Sequence, residues 1–77
     1  MQKLNRITID PAQMNGQPCV RGMRLTVKRV LEALSMYPDK AELFTEYPEL
    51  ENDDISQVLA YAALTMDDSI ILLDEAA

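Results

Sequence analysis

The chain has 77 residues, of which 48% are hydrophobic, and it carries a formal net charge of −6. This length fits one domain, and a domain this small buries about 60% of the surface that its unfolded chain exposes. The only cysteine is Cys19 and there is no histidine, which excludes an internal disulfide and a cysteine or histidine metal site. We therefore predict a single domain over residues 1–77, without cofactor or metal, that is stabilised by helix packing and a partner chain.

The sequence indicates a cytoplasmic protein. No segment reaches the ~18–20 consecutive apolar residues of a membrane span. The first ten residues lack the apolar core of a signal peptide. A lone cysteine together with five methionines fits a reducing compartment.

Charge is distributed unevenly along the chain. Residues 1–40 contain all seven basic residues and three acidic ones, whereas residues 41–77 contain ten acidic residues and no basic ones. The simplest expectation is a folded molecule with a basic end and an acidic end.

Two short extended segments open the chain. Residues 6–9 alternate polar and β-branched apolar side chains, which predicts a strand, and the proline at 11 ends it. Asn15-Gly16 predicts a turn with positive φ. Residues 18–20 can form a second extended piece, and Arg21-Gly22 forms a further turn.

The first two helices have clear start and stop signals. Thr26 is the expected N-cap of a helix over 27–36, because apolar residues recur there with a period of 3.6 and Tyr37-Pro38 follows. Asp39 is the expected N-cap of a short second helix that ends before Pro48. Its predicted buried face consists of Leu43, Phe44 and Tyr47.

The third helix is the strongest pattern in the sequence. Asn52 is the expected N-cap of a helix over about 53–66, and Asp53 and Asp54 suit the positive end of its dipole. The expected buried face follows the i, i+3, i+4, i+7 spacing and consists of Ile55, Val58, Leu59 and Ala62.

These elements predict a mainly α, homeodomain-like three-helix domain with a short N-terminal β element. The second and third helices would form a helix-turn-helix pair, with Leu50 filling the space between them. Residues 66–77 would be a C-terminal extension of this core.

Several motifs in this order resemble a known family, the domain of unknown function 433. The resemblance covers residues 6–63 and rests on the following positions: Arg6-Ile7, Asp10-Pro11, Gly16, Pro18-Cys19-Val20, Gly22, Arg24-Leu25, Val27, Tyr47-Pro48, Leu50, Asp54-Ile55 and Tyr61-Ala62-Ala63.

The resemblance implies a winged helix-turn-helix fold and a role as the antitoxin half of a VapBC-like pair. The implied partner is a PIN-like ribonuclease toxin. One departure concerns the end of the first helix, where the family usually has glycine and this chain has Tyr37. Tyr37-Pro38 must therefore end that helix without the usual glycine cap.

Four cations, Arg21, Arg24, Lys28 and Arg29, are close in sequence. They could bind nucleic-acid phosphate or an acidic partner surface. Alternatively, the arginines pair with acids of the C-terminal half and stabilise the fold, since a guanidinium binds a carboxylate with two hydrogen bonds.

The third helix could read DNA, but its charges oppose this. Gln57 could pair with adenine in the major groove, and it would face outward with Ser56, Ala60, Tyr61 and Leu64. Four acids stand at or just before the helix start, where phosphates would approach: Glu49, Glu51, Asp53 and Asp54.

The C-terminal extension offers a different kind of contact. Ile70, Ile71, Leu72 and Leu73 form an apolar run bracketed by acids. This run either extends the third helix, or packs across the domain or a symmetry mate, or binds a protein partner together with Tyr61 and Leu64.

Catalytic chemistry is not expected from this chain. Without histidine, no base is available to activate Cys19, which we predict to be a buried structural thiol. The leading hypothesis is a homodimeric antitoxin-like protein that inhibits a PIN-like ribonuclease and could bind its own operator. The alternative is a stand-alone helix-turn-helix DNA-binding regulator.

Overall fold

The computed structural model describes residues 4–66. Along these residues, a two-stranded antiparallel sheet precedes three helices. The predicted mainly α architecture with a small N-terminal β element is therefore confirmed. The extension over 67–77, with the run Ile70, Ile71, Leu72 and Leu73, lies outside the described residues. Within residues 4–66, none of the helices is both long and apolar enough to cross a membrane.

Both predicted extended segments are strands of one sheet. Strand β1 (Ile7–Ile9) pairs antiparallel with β2 (Pro18–Val20), so that Ile7 lies opposite Val20. The connection contains a 3-10 turn over Met14–Gly16, in which Asn15 has a φ of 58°. The asparagine thus adopts the left-handed conformation that the Asn-Gly pair predicts.

Helix α1 (Val27–Met36) has the predicted boundaries. The hydroxyl of Thr26 accepts a hydrogen bond from the backbone N–H of Arg29 at 3.1 Å, as expected of an N-cap. The helix ends at Tyr37 with a φ of −124°, before Pro38. It therefore ends without a left-handed glycine, as Tyr37 at this position requires.

Helix α2 (Lys40–Glu46) starts after the predicted cap. The carboxylate of Asp39 accepts a hydrogen bond from the backbone N–H of Ala41 at 2.9 Å. Leu43 is fully buried, while Phe44 and Tyr47 are half-buried against the core. Leu50, in the turn after α2, is also buried, as predicted.

Helix α3 (Asn52–Thr65) begins one residue earlier than predicted. Asn52 is not the N-cap but the first helical residue, and Glu51 occupies the cap position. The reason is a hydrogen bond in which the backbone N–H of Glu51 donates to the Asp54 carboxylate at 2.9 Å. Because Asp54 reaches back three residues, the backbone turns into the helix at Glu51.

One core lies between β2 and the three helices. On α3 it takes up Ile55 and Val58, but Leu59 remains 50% exposed, so the prediction that Leu59 is buried was wrong. Tyr61, expected to face outward, is half-buried against the core. The fully buried apolar cluster consists of Val20, Val27, Val30, Ala33, Leu43, Leu50, Ile55 and Val58.

Candidate partner-binding surfaces

Asp54 is the centre of a buried ionic cluster. Its side chain has no exposed surface, and its carboxylate accepts hydrogen bonds from two arginines. Arg6 Nη1 donates to Oδ1 at 2.9 Å, while Arg21 donates through Nε at 3.1 Å and Nη2 at 3.0 Å. Arg21 thus binds both carboxylate oxygens, a geometry in which the fork of the guanidinium matches the carboxylate.

The same two arginines reach other groups at the start of α3. Arg6 also contacts the carboxylate of Glu51 at 2.7 Å, and Arg21 Nη2 donates to the backbone carbonyl of Glu49 at 2.6 Å. The cluster therefore joins both ends of the β element to α3. The expected separation into a basic and an acidic end was wrong for Arg6 and Arg21, because folding places both beside C-terminal acids.

The arginines decide the ionisation of Asp54. Burial of the carboxyl raises its pKa, but hydrogen bonds from Arg21 and Arg6 outweigh burial, so the pKa of Asp54 lies below its ordinary value. The hydrogen bond to Glu51 raises the pKa of Arg6, and the hydrogen bond to Asp54 raises the pKa of Arg21. All three groups are therefore charged at neutral pH.

Gln57, the predicted base-reading residue, binds within the chain. Its Oε1 accepts a hydrogen bond from the backbone N–H of Arg6 at 2.8 Å. Its Nε2 donates to Oδ1 of Asn5 at 2.9 Å. Because a base-edge contact needs both ends of this amide, Gln57 would have to release the N-terminal segment before it could read a base.

The other three predicted cations remain exposed. Arg24, Lys28 and Arg29 lie just before and within the first turn of α1, and we call them the basic patch. Within residues 4–66, none of the three takes part in a salt bridge. The positive end of the α1 dipole adds to their field, so this surface attracts anions.

The C-terminal half of α3 presents a surface of opposite character. Residues 55–66 include no charged side chain. Leu59, Leu64 and Met66 are 50%, 58% and 56% exposed, and Ala63 between them is also exposed. We call these four residues the outer face of α3. Exposed apolar side chains grouped on one helix are typical of protein–protein contacts.

A third surface feature lies on α2. A shallow recess of about 250 Å³ is lined by Tyr37, Ala41, Glu42, Thr45 and Glu46. Its two carboxylates make it acidic. It is on a different element from both the basic patch and the outer face of α3, so the described surface has three regions of distinct chemistry.

The structure therefore divides the predicted site residues into three groups. Arg24, Lys28 and Arg29 lie together and exposed, whereas Arg21 and Gln57 are engaged in contacts with distant parts of the chain. Leu64 is exposed and Tyr61 is half-buried. Arg6, the second partner of Asp54, was not predicted, because nothing local in the sequence marks a contact across 48 residues.

One family model matches most of the chain. The model of the family described as "Protein of unknown function (DUF433)" matches residues 7–62, from the first residue of β1 to the last turn of α3. No curated protein and no solved structure matches the chain. Because the matched segment covers well over half of its length, the chain belongs to the DUF433 family.

Proposed function

We propose that this protein is a cytoplasmic, homodimeric, antitoxin-like protein that binds and inhibits a PIN-like ribonuclease. The observation that carries the proposal is Leu64 on the outer face of α3, which is apolar, 58% exposed and part of a helix segment without charge. A protein partner can bury such apolar surface through the hydrophobic effect, whereas apolar side chains do not stabilise a nucleic-acid phosphate.

The surroundings of α3 also favour a protein partner over DNA. A helix that reads the major groove is expected to place donors and cations toward the phosphates at its start. Here Glu51 and Asp53 are exposed at the start of α3, and their charges oppose phosphate. The fold would still be homeodomain-like, with α2 and α3 as the helix-turn-helix pair around the buried Leu50.

The proposed ribonuclease contact combines Leu64 and the exposed part of Tyr61 with the apolar run Ile70, Ile71, Leu72 and Leu73. Leu64 is 58% exposed, so burying it would contribute up to about 1.5–3 kcal/mol. Acidic residues bracket the run in the sequence, which suits the basic groove by which a ribonuclease binds RNA.

The direct test mixes the purified chain with the product of the neighbouring gene. We expect a stable complex on size-exclusion chromatography, loss of ribonuclease activity and rescue of growth on co-expression. Leu64→Glu should weaken the complex at least tenfold. Met36→Glu is the matched control, because Met36 is an exposed apolar residue on α1, at 68% exposure. Absence of a complex, or equal effects of both variants, would contradict the proposal.

A specific observation favours DNA binding as a second function, either of the antitoxin on its operator or of a stand-alone regulator. The basic patch is exposed and unpaired within the described residues. Binding through it would weaken steeply with salt, since each neutralised phosphate releases counterions. Replacing Arg24, Lys28 and Arg29 together with alanine should abolish operator binding and leave the fold intact.

Arg21→Ala is not a clean test of DNA binding. Because Arg21 binds the buried Asp54, its removal disturbs the fold as well as the surface charge. Arg24→Ala changes the surface charge alone. If the isolated chain binds no DNA at low salt, or if the triple alanine variant binds as well as the wild type, this second function fails.

A further inference from the structure

Four residues form a stripe along one side of α3. Ser56, Leu59, Ala63 and Met66 are spaced by three, four and three residues, which places them on the same side of a helix. All four are exposed, with Leu59 at 50% and Met66 at 56%. We call these four residues the seam, because an exposed, uncharged row of side chains on one side of a helix can pack against another helix.

The absence of charge makes a second copy of the chain a suitable partner for this seam. In a two-fold symmetric contact, the side chains near the axis face their own copies, so a charge placed there meets a like charge. The outward sides of α1 and α2 carry Lys28, Arg29, Glu32, Glu42 and Glu46, whereas residues 55–66 of α3 carry no charge. The seam is thus a surface on which a second copy can place the two-fold axis without like-charge repulsion.

We infer that the seam packs against the same seam of a second copy, with the two α3 helices antiparallel. Its four positions are symmetric about residue 61, so antiparallel pairing sets Leu59 against the second copy's Ala63. It also sets Ser56 against the second copy's Met66. A large side chain thus meets a small one at each level, which allows the helices to approach to about 8–10 Å.

The acidic start of α3 selects this orientation. In a parallel pair, Glu51 and Asp53 of the two copies would lie side by side and repel. In the antiparallel pair, these residues are at opposite ends of the contact.

The inference rests on the proposed homodimer and names its contact surface. It does not involve the ribonuclease partner. Leu64 is five positions from Leu59, about 140° around the helix, and stays outside the seam. A dimer through the seam therefore covers Leu59, Ala63 and Met66 of the outer face of α3 and leaves Leu64, which belongs to the proposed ribonuclease contact, accessible.

Sedimentation equilibrium of the full chain, alone in solution, tests the surface. We expect a mass of twice the 8.7 kDa chain at micromolar concentration. The double variant Leu59→Glu, Ala63→Glu should have the mass of one chain and retain its helical circular dichroism, because both positions are exposed. Met36→Glu should remain dimeric. A monomeric wild type overturns the inference and the homodimer alike, while a dimeric double variant overturns only the surface.

Disulfide trapping tests the orientation. Ser56→Cys and Met66→Cys variants should cross-link to each other when mixed under oxidising conditions, and neither should cross-link efficiently to itself. Cys19 is 2% exposed and will not compete. Self-cross-linking of Ser56→Cys, without the mixed product, would show a parallel pair and overturn the antiparallel arrangement.

Discussion

The carboxylate of Asp54 combines three tasks that usually fall to different residues. It satisfies the backbone N–H of Glu51 at the start of α3, and it binds Arg6, which precedes β1, and Arg21, which follows β2. Arg21 has a φ of 47°, a conformation that costs a non-glycine residue about 1 kcal/mol. Its contacts with Asp54 and Glu49 hold it in that conformation.

Asp54→Asn should destabilise the fold more than a typical surface substitution. The asparagine keeps the size of the side chain but removes the charge that two arginines share. Removing one partner of a buried ion pair costs about 3–5 kcal/mol. Arg6 and Arg21 remain 26% and 34% exposed, so water can partly replace the lost contact. We therefore expect a loss of about 2–3 kcal/mol in urea unfolding.

Asp53→Asn is the matched control for this prediction. The neighbouring carboxylate lies on the same turn of α3, is 78% exposed and approaches Arg6 only to 3.6 Å. Its loss should change the free energy of unfolding by less than about 0.5 kcal/mol. Equal effects of the two substitutions would contradict a specific role for Asp54.

The depressed pKa of Asp54 also predicts how stability responds to acid. A carboxyl with a lower pKa in the folded state binds protons more readily when unfolded, so it stabilises the fold above its unfolded pKa, ordinarily 3.8. That contribution is lost as the pH falls below 3.8 and through the folded pKa. Urea unfolding from pH 6 to pH 2 should show the loss in the wild type and a smaller one in Asp54→Asn. Parallel curves would contradict the assignment.

Residue-level prediction succeeded where the signal is local. The cap by Thr26 depends on residues three positions apart, so the sequence contains all that is needed to predict it. The partners of Asp54 are 33 and 48 residues away. The uneven distribution of charge along the sequence allowed arginine–acid pairing as one alternative. Only the packing of the β element on α3 selects Arg6 and Arg21 as the partners of Asp54.

At the level of elements, α1 was predictable and α3 only partly so. Helix α1 has a strong apolar period, a threonine cap and a following proline, which all agree on its limits. At the start of α3, Glu51 and Asn52 are both adjacent to acids, and the hydrogen bond to Asp54 decides between them. Leu59 fits an apolar period in the sequence, but the core accommodates Ile55 and Val58 and leaves Leu59 at the edge.

Thr26→Ala should weaken α1 specifically. The substitution removes the hydroxyl that accepts from the N–H of Arg29 and leaves the apolar face of the helix intact. We expect a loss of about 1 kcal/mol in the free energy of unfolding, measured with urea. Thr26→Ser keeps the acceptor and should retain most of the wild-type stability, so an equal loss in both variants would argue against the cap.

At the level of the whole molecule, folding neutralises two of the basic side chains. Arg6 and Arg21 are neutralised by acids at the start of α3, which leaves the basic patch, the acidic recess on α2 and the outer face of α3 as separate regions. A small domain whose apolar surface is partly uncovered gains stability when a partner covers it.

Thermal stability should therefore depend on protein concentration. Association with a second copy stabilises the folded state by mass action. If the Kd of the dimer is micromolar, the Tm of the wild type should rise as the protein concentration increases from roughly 1 µM to 100 µM. The Tm of the double variant Leu59→Glu, Ala63→Glu should not change over this range. A wild-type Tm independent of concentration would indicate that no dimer contributes to stability.

The most direct measurement is NMR titration of the isotope-labelled chain with the purified product of the neighbouring gene, the proposed PIN-like ribonuclease. If the apolar half of α3 is the protein-binding surface, chemical shifts should change around Leu64 and in the residues that follow, while those of Arg24, Lys28 and Arg29 stay constant. Changes confined to these three cations, or no changes at saturating ribonuclease, would contradict the account.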